Sequence, residues 1–149
     1  MKRRLRTLQT MMRVANCRIE IARAAYANVC AQRDQARATC NEVARRIETL
    51  ERELLESVGR RGELSVDDWQ LKTRHLANKH ALLQQHRLQV EQLETAADAA
   101  LETLSGHARD HASAEKLGEQ TALEIARDGA RREGIAQDEQ WVLLQERRR

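Results

Sequence analysis

The sequence predicts an all-α fold, a long antiparallel two-helix coiled-coil hairpin with the C-terminal arm longer and open to kinks. Three observations predict it. Apolar residues recur in a sustained three-four rhythm, the first hundred residues contain a single glycine-marked break, and the composition is dominated by strong helix formers without one proline. The 149 residues have the length of one domain, yet a third of them are charged and the aromatic side chains are Tyr26, Trp69 and Trp141 alone. Such a chain fits elongated helices better than a layered core. The formal charge of +3 is unevenly spread. Residues 1–62 carry 14 basic and 7 acidic groups, and residues 63–149 carry 12 and 16, so the halves differ in sign. Arms of opposite sign attract when they lie side by side.

The first helix is predicted over about residues 3–57. Its stripe runs Leu5, Leu8, Met12, Ala15, Ile19, Ala22, Tyr26, Val29, Arg33, Ala36, Cys40, Val43, Ile47, Leu50, Leu54 and Ser57. Among these only Arg33 and Ser57 are strongly polar. A 3.5-residue period keeps one stripe facing a partner helix along its whole length, which is the coiled-coil seam.

A turn is expected at 58–64. Gly59 can close a helix in the left-handed conformation, and Gly62 loosens the connection. Ser65 then reads as an N-cap, with Asp68 three residues on completing a capping-box-like start. Leu64 and Trp69 occupy the two positions of a hydrophobic staple. So short a link returns the second helix along the first.

The second helix is predicted over about residues 66–146. Trp69, Leu76, Leu83, Val90, Ala97 and Leu104 recur every seven residues, with Thr73, His80, Arg87, Glu94 and Leu101 as the complementary and mostly polar half. Beyond residue 104 the pattern weakens. Gly106, Gly118, Gly129 and Gly134 each cost about 1 kcal/mol of helix stability relative to alanine, so kinks or fraying are expected there. The second arm outruns the first and must overhang or bend back.

Nothing in the sequence points to catalysis, and no cofactor or metal is expected. There is no GxxxxGK[ST] loop, no GxSxG, no HExxH and no zinc-spaced Cys/His cluster. His107 and His111 share a helical face beside Asp110, but polar helix surface is the simpler reading. Cys17, Cys30 and Cys40 show no CxxC spacing and read as reduced thiols, which suggests a cytoplasmic location. No stretch is apolar enough to insert in a membrane. Candidate partner-binding residues are the basic cluster Arg3, Arg4 and Arg6, the tail Trp141, and Arg147, Arg148 and Arg149. Nucleic acid is a weaker reading of these basic ends because stacking aromatics are scarce and the surrounding charge is mixed.

A basic amino terminus, one long heptad helix, a glycine turn, a longer returning helix and the tail "DEQWVLLQERRR" together resemble the small coiled-coil stalk proteins of bacterial type III secretion. This is the YscO/HrpO branch, related to flagellar FliJ. The resemblance implies a stalk that engages the pore of the hexameric export ATPase and the cytoplasmic part of the export-gate membrane protein. Some members also hold secretion chaperones. It further implies a site of action at the cytoplasmic face of the secretion apparatus, with the basic ends as contacts to the ring. Two other readings stand beside it, a generic coiled-coil scaffold or homodimer and a nucleic-acid-binding helical protein.

Overall fold

The computed structural model describes residues 1–60 and 65–148. It is all-helical among them, with α1 spanning Lys2–Gly59 and α2 spanning Val66–Glu146, packed against one another as a two-helix hairpin. The predicted Gly62, Leu64 and Arg149 lie outside the described residues.

Burial in α1 follows the predicted stripe residue for residue. Every seam position from Leu5 to Ser57 is buried or half-buried, and off the stripe only Cys30, Thr39, Ala44 and Glu51 join them. The end of α1 departs from the expectation. Gly59 is the last helical residue and does not adopt a left-handed backbone; the chain leaves the helix through a bend at Arg60, whose N–H reaches Ser57 O at 3.4 Å. A helical glycine with open space around it serves here as a weak point in the helix.

α2 starts on Ser65, whose Oγ accepts the Asp68 N–H at 3.1 Å while its carbonyl accepts the first helical bond from Trp69 N–H at 3.0 Å. One of the orphan donors of the first turn is thereby satisfied. Asp67 and Asp68 add negative charge at the positive end of the helix dipole.

The seam of α2 differs from the predicted one. Burial runs Leu76, Lys79, Leu83, His86, Val90, Leu93, Ala97, Ala100 and Leu104 within residues 22–103 and at their edge. The heptad members are as expected from Leu76 onward, but the complementary half is Lys79, His86, Leu93 and Ala100. Thr73, His80, Arg87 and Leu101 are exposed, Glu94 is half-buried at the margin, and Trp69 stands 42% exposed ahead of the seam. A seven-residue repeat leaves two choices for its second stripe, three or four residues on. Both choices mix polar and apolar residues in this chain, so composition did not decide between them. Lys79 can lie on the seam because its alkyl stem packs while the ammonium reaches water.

Two compact units make up the chain. One is Ala22–Thr103, which includes the turn; the other joins Met1–Ile21 to Leu104–Arg149. In Ala22–Thr103 the core is Val43, Ile47 and Leu83, with Cys40, Ala44, Leu76 and Leu82 packed on it. Two polar contacts across the seam mark the antiparallel register there. Arg37 Nη2 meets Glu94 Oε1 at 2.6 Å, and Glu51 Oε1 meets His80 Nε2 at 3.1 Å. Advancing from Arg37 to Glu51 retreats from Glu94 to His80 by the same two heptads. Arg33, the polar seam residue, keeps its guanidinium at the edge, where Nε and Nη2 both donate to Asp34 Oδ1 at 3.2 Å. That bond raises the Arg33 pKa further above its ordinary value. The Tyr26 hydroxyl is likewise held protonated to higher pH, chiefly by its hydrogen bond to Cys30, with burial and the Asp98 carboxylate adding and Arg33 opposing.

In the other unit α2 remains an unbroken helix through Gly106, Gly118, Gly129 and Gly134. The seam does not stop after residue 104 but continues, on smaller and more polar side chains, through His107, His111, Ala114, Gly118, Thr121 and Ile125, all buried or half-buried. A Cβ on Gly118 would lie 3.7 Å from Met12 Sδ, so a bulky side chain on α1 faces an absent one on α2. Thr121, 4% exposed, donates its hydroxyl to Leu117 O at 2.8 Å and buries no unpaired polar atom.

Candidate partner-binding surfaces

The register of the terminal unit decides where its candidate residues lie. Ten residues back from Met12 is Lys2, and ten forward from its neighbour Gly118 is Asp128, so α1 runs out opposite Asp128. The remainder of α2, to Glu146, is helix without a partner in α1. Gly134 is half-buried and every other residue from Asp128 to Arg148 is exposed. The second arm therefore overhangs.

That overhang carries Trp141, Val142, Leu143 and Leu144, exposed by 63%, 53%, 59% and 59%. Packing of Trp141 against α1 is excluded by this exposure. A run of four large apolar side chains on an unpartnered helix is the kind of surface that partners cover, and tryptophan is the residue type most enriched among binding anchors.

The two groups of basic candidates are brought apart. Arg3, Arg4 and Arg6 are exposed on the first turns of α1, whereas Arg147 and Arg148 follow the last turn of the overhang. Some 20 to 24 residues lie between the two levels, about 30–36 Å at ~1.5 Å per residue. Their local electrostatics also differ. Arginines just past a helix C-terminus sit at the negative end of the dipole and are stabilised by it, so Arg147 and Arg148 have a structural reason to be there. Lys2, Arg3, Arg4 and Arg6 crowd the positive end of α1, whose first turn has no acid to offset them. This arrangement costs helix stability.

The turn end of the Ala22–Thr103 unit was not singled out in the sequence beyond its capping residues. It holds a groove of about 410 Å³ lined by Leu50, Leu54, Leu71 and Leu76, with Glu53, Lys72 and His75 at its edges. Around it Leu55 and Val66 are each 73% exposed, Leu71 is 68% and Val58 55%. The signal in sequence was a surplus of apolar residues off the seam near the turn.

The histidines are dispersed. His86, His107 and His111 lie on the seam, and His80 meets Glu51. His107 and His111, read as polar helix surface, are half-buried along the seam. Among the described residues no three of His, Cys, Asp or Glu converge as metal ligands, and no helix is long and apolar enough to cross a membrane. Cys17 is exposed, Cys30 and Cys40 are half-buried, and all three are free thiols.

No protein-family model, curated protein or solved structure matches the chain.

Proposed function

We propose that this chain is a non-catalytic coiled-coil stalk of a bacterial type III secretion export apparatus. It couples the export ATPase to the cytoplasmic part of the export gate and, in the manner of some stalks, escorts chaperones. The reading rests on the layout that the sequence shares with such stalks. The observation that carries it is the overhanging end of α2, which offers Trp141–Leu144 to a partner while the paired arms hold it in place. The unbalanced N-terminal cluster Arg3, Arg4 and Arg6 supplies a second surface, suited to acidic side chains lining a ring. Such a protein binds and positions; hydrolysis belongs to the ring.

The test is capture by a type III export ATPase and the effect on its hydrolysis. Stimulation by the intact chain, lost on replacing Arg3, Arg4 and Arg6 by Glu, is the expected result. Absence of both capture and stimulation sinks the reading and leaves a coiled-coil scaffold.

A further inference from the structure

We propose that the bare seam face of the α2 overhang takes a helix from another protein, stacked end to end on α1. The occupant is amphipathic, basic toward its amino end and acidic at its carboxyl end. This goes beyond the stalk reading and stands or falls separately from it.

The seam of α2 does not end where α1 does. Its three-four steps through Ala114, Gly118, Thr121 and Ile125 pass Asp128, opposite the start of α1. Carried on, they fall on Arg132, Ile135, Glu139, Val142 and Glu146. All five are exposed helix, about 21 Å from Arg132 to Glu146 at ~1.5 Å per residue. Ala136 and Leu143 widen the apolar part along one flank of this face. By the same spacing Trp141 and Leu144 fall on the far side of the helix, so they belong to a separate surface.

Charge selects the occupant and sets its direction. Nearest α1 the face is basic, with Lys2, Arg3, Arg4 and Arg6 around the start of that helix and Arg131 and Arg132 following on α2. Among the described residues none of the four on α1 meets a carboxylate in an ion pair. α2 sets Glu124, Arg127 and Asp128 beside them, two acids and a base, which leaves that end positive. Toward the tip the face turns acidic, with Asp138, Glu139 and Glu146. Glu133, Arg147 and Arg148 lie off the face by helical spacing. A helix laid antiparallel to α2 brings its carboxyl end, the negative pole of its dipole, onto the positive start of α1. Acids there meet the arginines, and bases at its other end meet Asp138, Glu139 and Glu146. The opposite direction sets two positive poles together. A second copy of the overhang is a poor occupant, because its Arg147 and Arg148 would come against Lys2, Arg3, Arg4 and Arg6.

A synthetic helical peptide of about sixteen residues, long enough to cover the face, tests this. It carries lysines in its amino half, leucines at alternating three- and four-residue spacing, and glutamates in its carboxyl half. A control peptide exchanges the lysines and glutamates. In titrations with the full chain, read by fluorescence anisotropy of a label on the peptide, the first is expected to bind at least about tenfold tighter than the control. That preference is expected to shrink at high salt. Val142→Glu is expected to weaken binding at least about tenfold, as loss of a central contact does, whereas Trp141→Ala leaves it unchanged. Both side chains are exposed, so each variant keeps its helicity by circular dichroism. Failure of the first peptide to bind overturns the proposal. So do equal affinities for the two peptides, and so does a loss at Trp141→Ala with none at Val142→Glu. No ATPase takes part, so peptide binding by a chain that leaves hydrolysis unstimulated sinks the stalk reading alone.

Discussion

In the unit that contains the turn, α1 and α2 meet through Val43, Ile47 and Leu83; in the terminal unit α2 offers Ala114, Gly118 and Thr121 instead. The same hairpin thus rests on two kinds of seam. Large side chains contribute through the apolar area they remove from water. Small ones contribute little area, and the absent side chain at Gly118 leaves α1 residues such as Met12 to do the covering. Neither unit buries any large side chain completely among the described residues, as expected where each helix has one neighbour. Uneven seams in one chain teach that heptad spacing specifies pairing, while side-chain volume decides how firmly the pair holds.

The comparison can be broken first at its strong end. Leu83→Ala, at a side chain 5% exposed, is expected to cost about 2–4 kcal/mol, read as a lowered urea midpoint, because it empties the middle of the Val43–Ile47–Leu83 cluster. An equal truncation at the more exposed Leu117 should cost far less, and similar losses at both would refute the contrast. Ser65→Ala comes next, removing the cap on Asp68 N–H for about 1 kcal/mol, with the loss showing as faster amide exchange in the first turn of α2. In the weak unit the sign reverses. Gly118→Ala is expected to stabilise by about 0.5–1 kcal/mol, since helix propensity improves and the new methyl makes ordinary contact with Met12 Sδ. A lowered midpoint would show that the glycine is needed for close approach. The smallest effect belongs to Arg37 and Glu94. Both side chains are almost half exposed, so a double-mutant cycle should give a coupling of about 0.5 kcal/mol that fades with added salt.

How much of this was legible in the sequence depends on the arm. The α1 seam could be read outright, because its apolar residues fall on one stripe with few polar interruptions. In α2 the stripe passes through Lys79, His86, His107, His111, Gly118 and Thr121, residue types that pattern reading assigns to the surface. In the terminal unit that burial follows from the opposite arm, whose Met12 lies against Gly118. The N-cap at Ser65 was readable because capping is local chemistry. Two site features were not. The exposure of Trp141 depends on where α1 runs out, a matter of arm length and register together. The groove beside Leu71 arises only when two helices each leave apolar residues off the seam on the same side.

The matched two-heptad step between Arg37–Glu94 and Glu51–His80 has a consequence for how such a protein can change size. Because each pairing recurs after whole heptads, removing one heptad from each arm at facing places closes the gap and restores every partner. Removing it from one arm alone slides the strands of side chains past one another and pairs Arg37 with the wrong turn. Length is therefore adjustable only in paired increments, as links are taken from both sides of a zip.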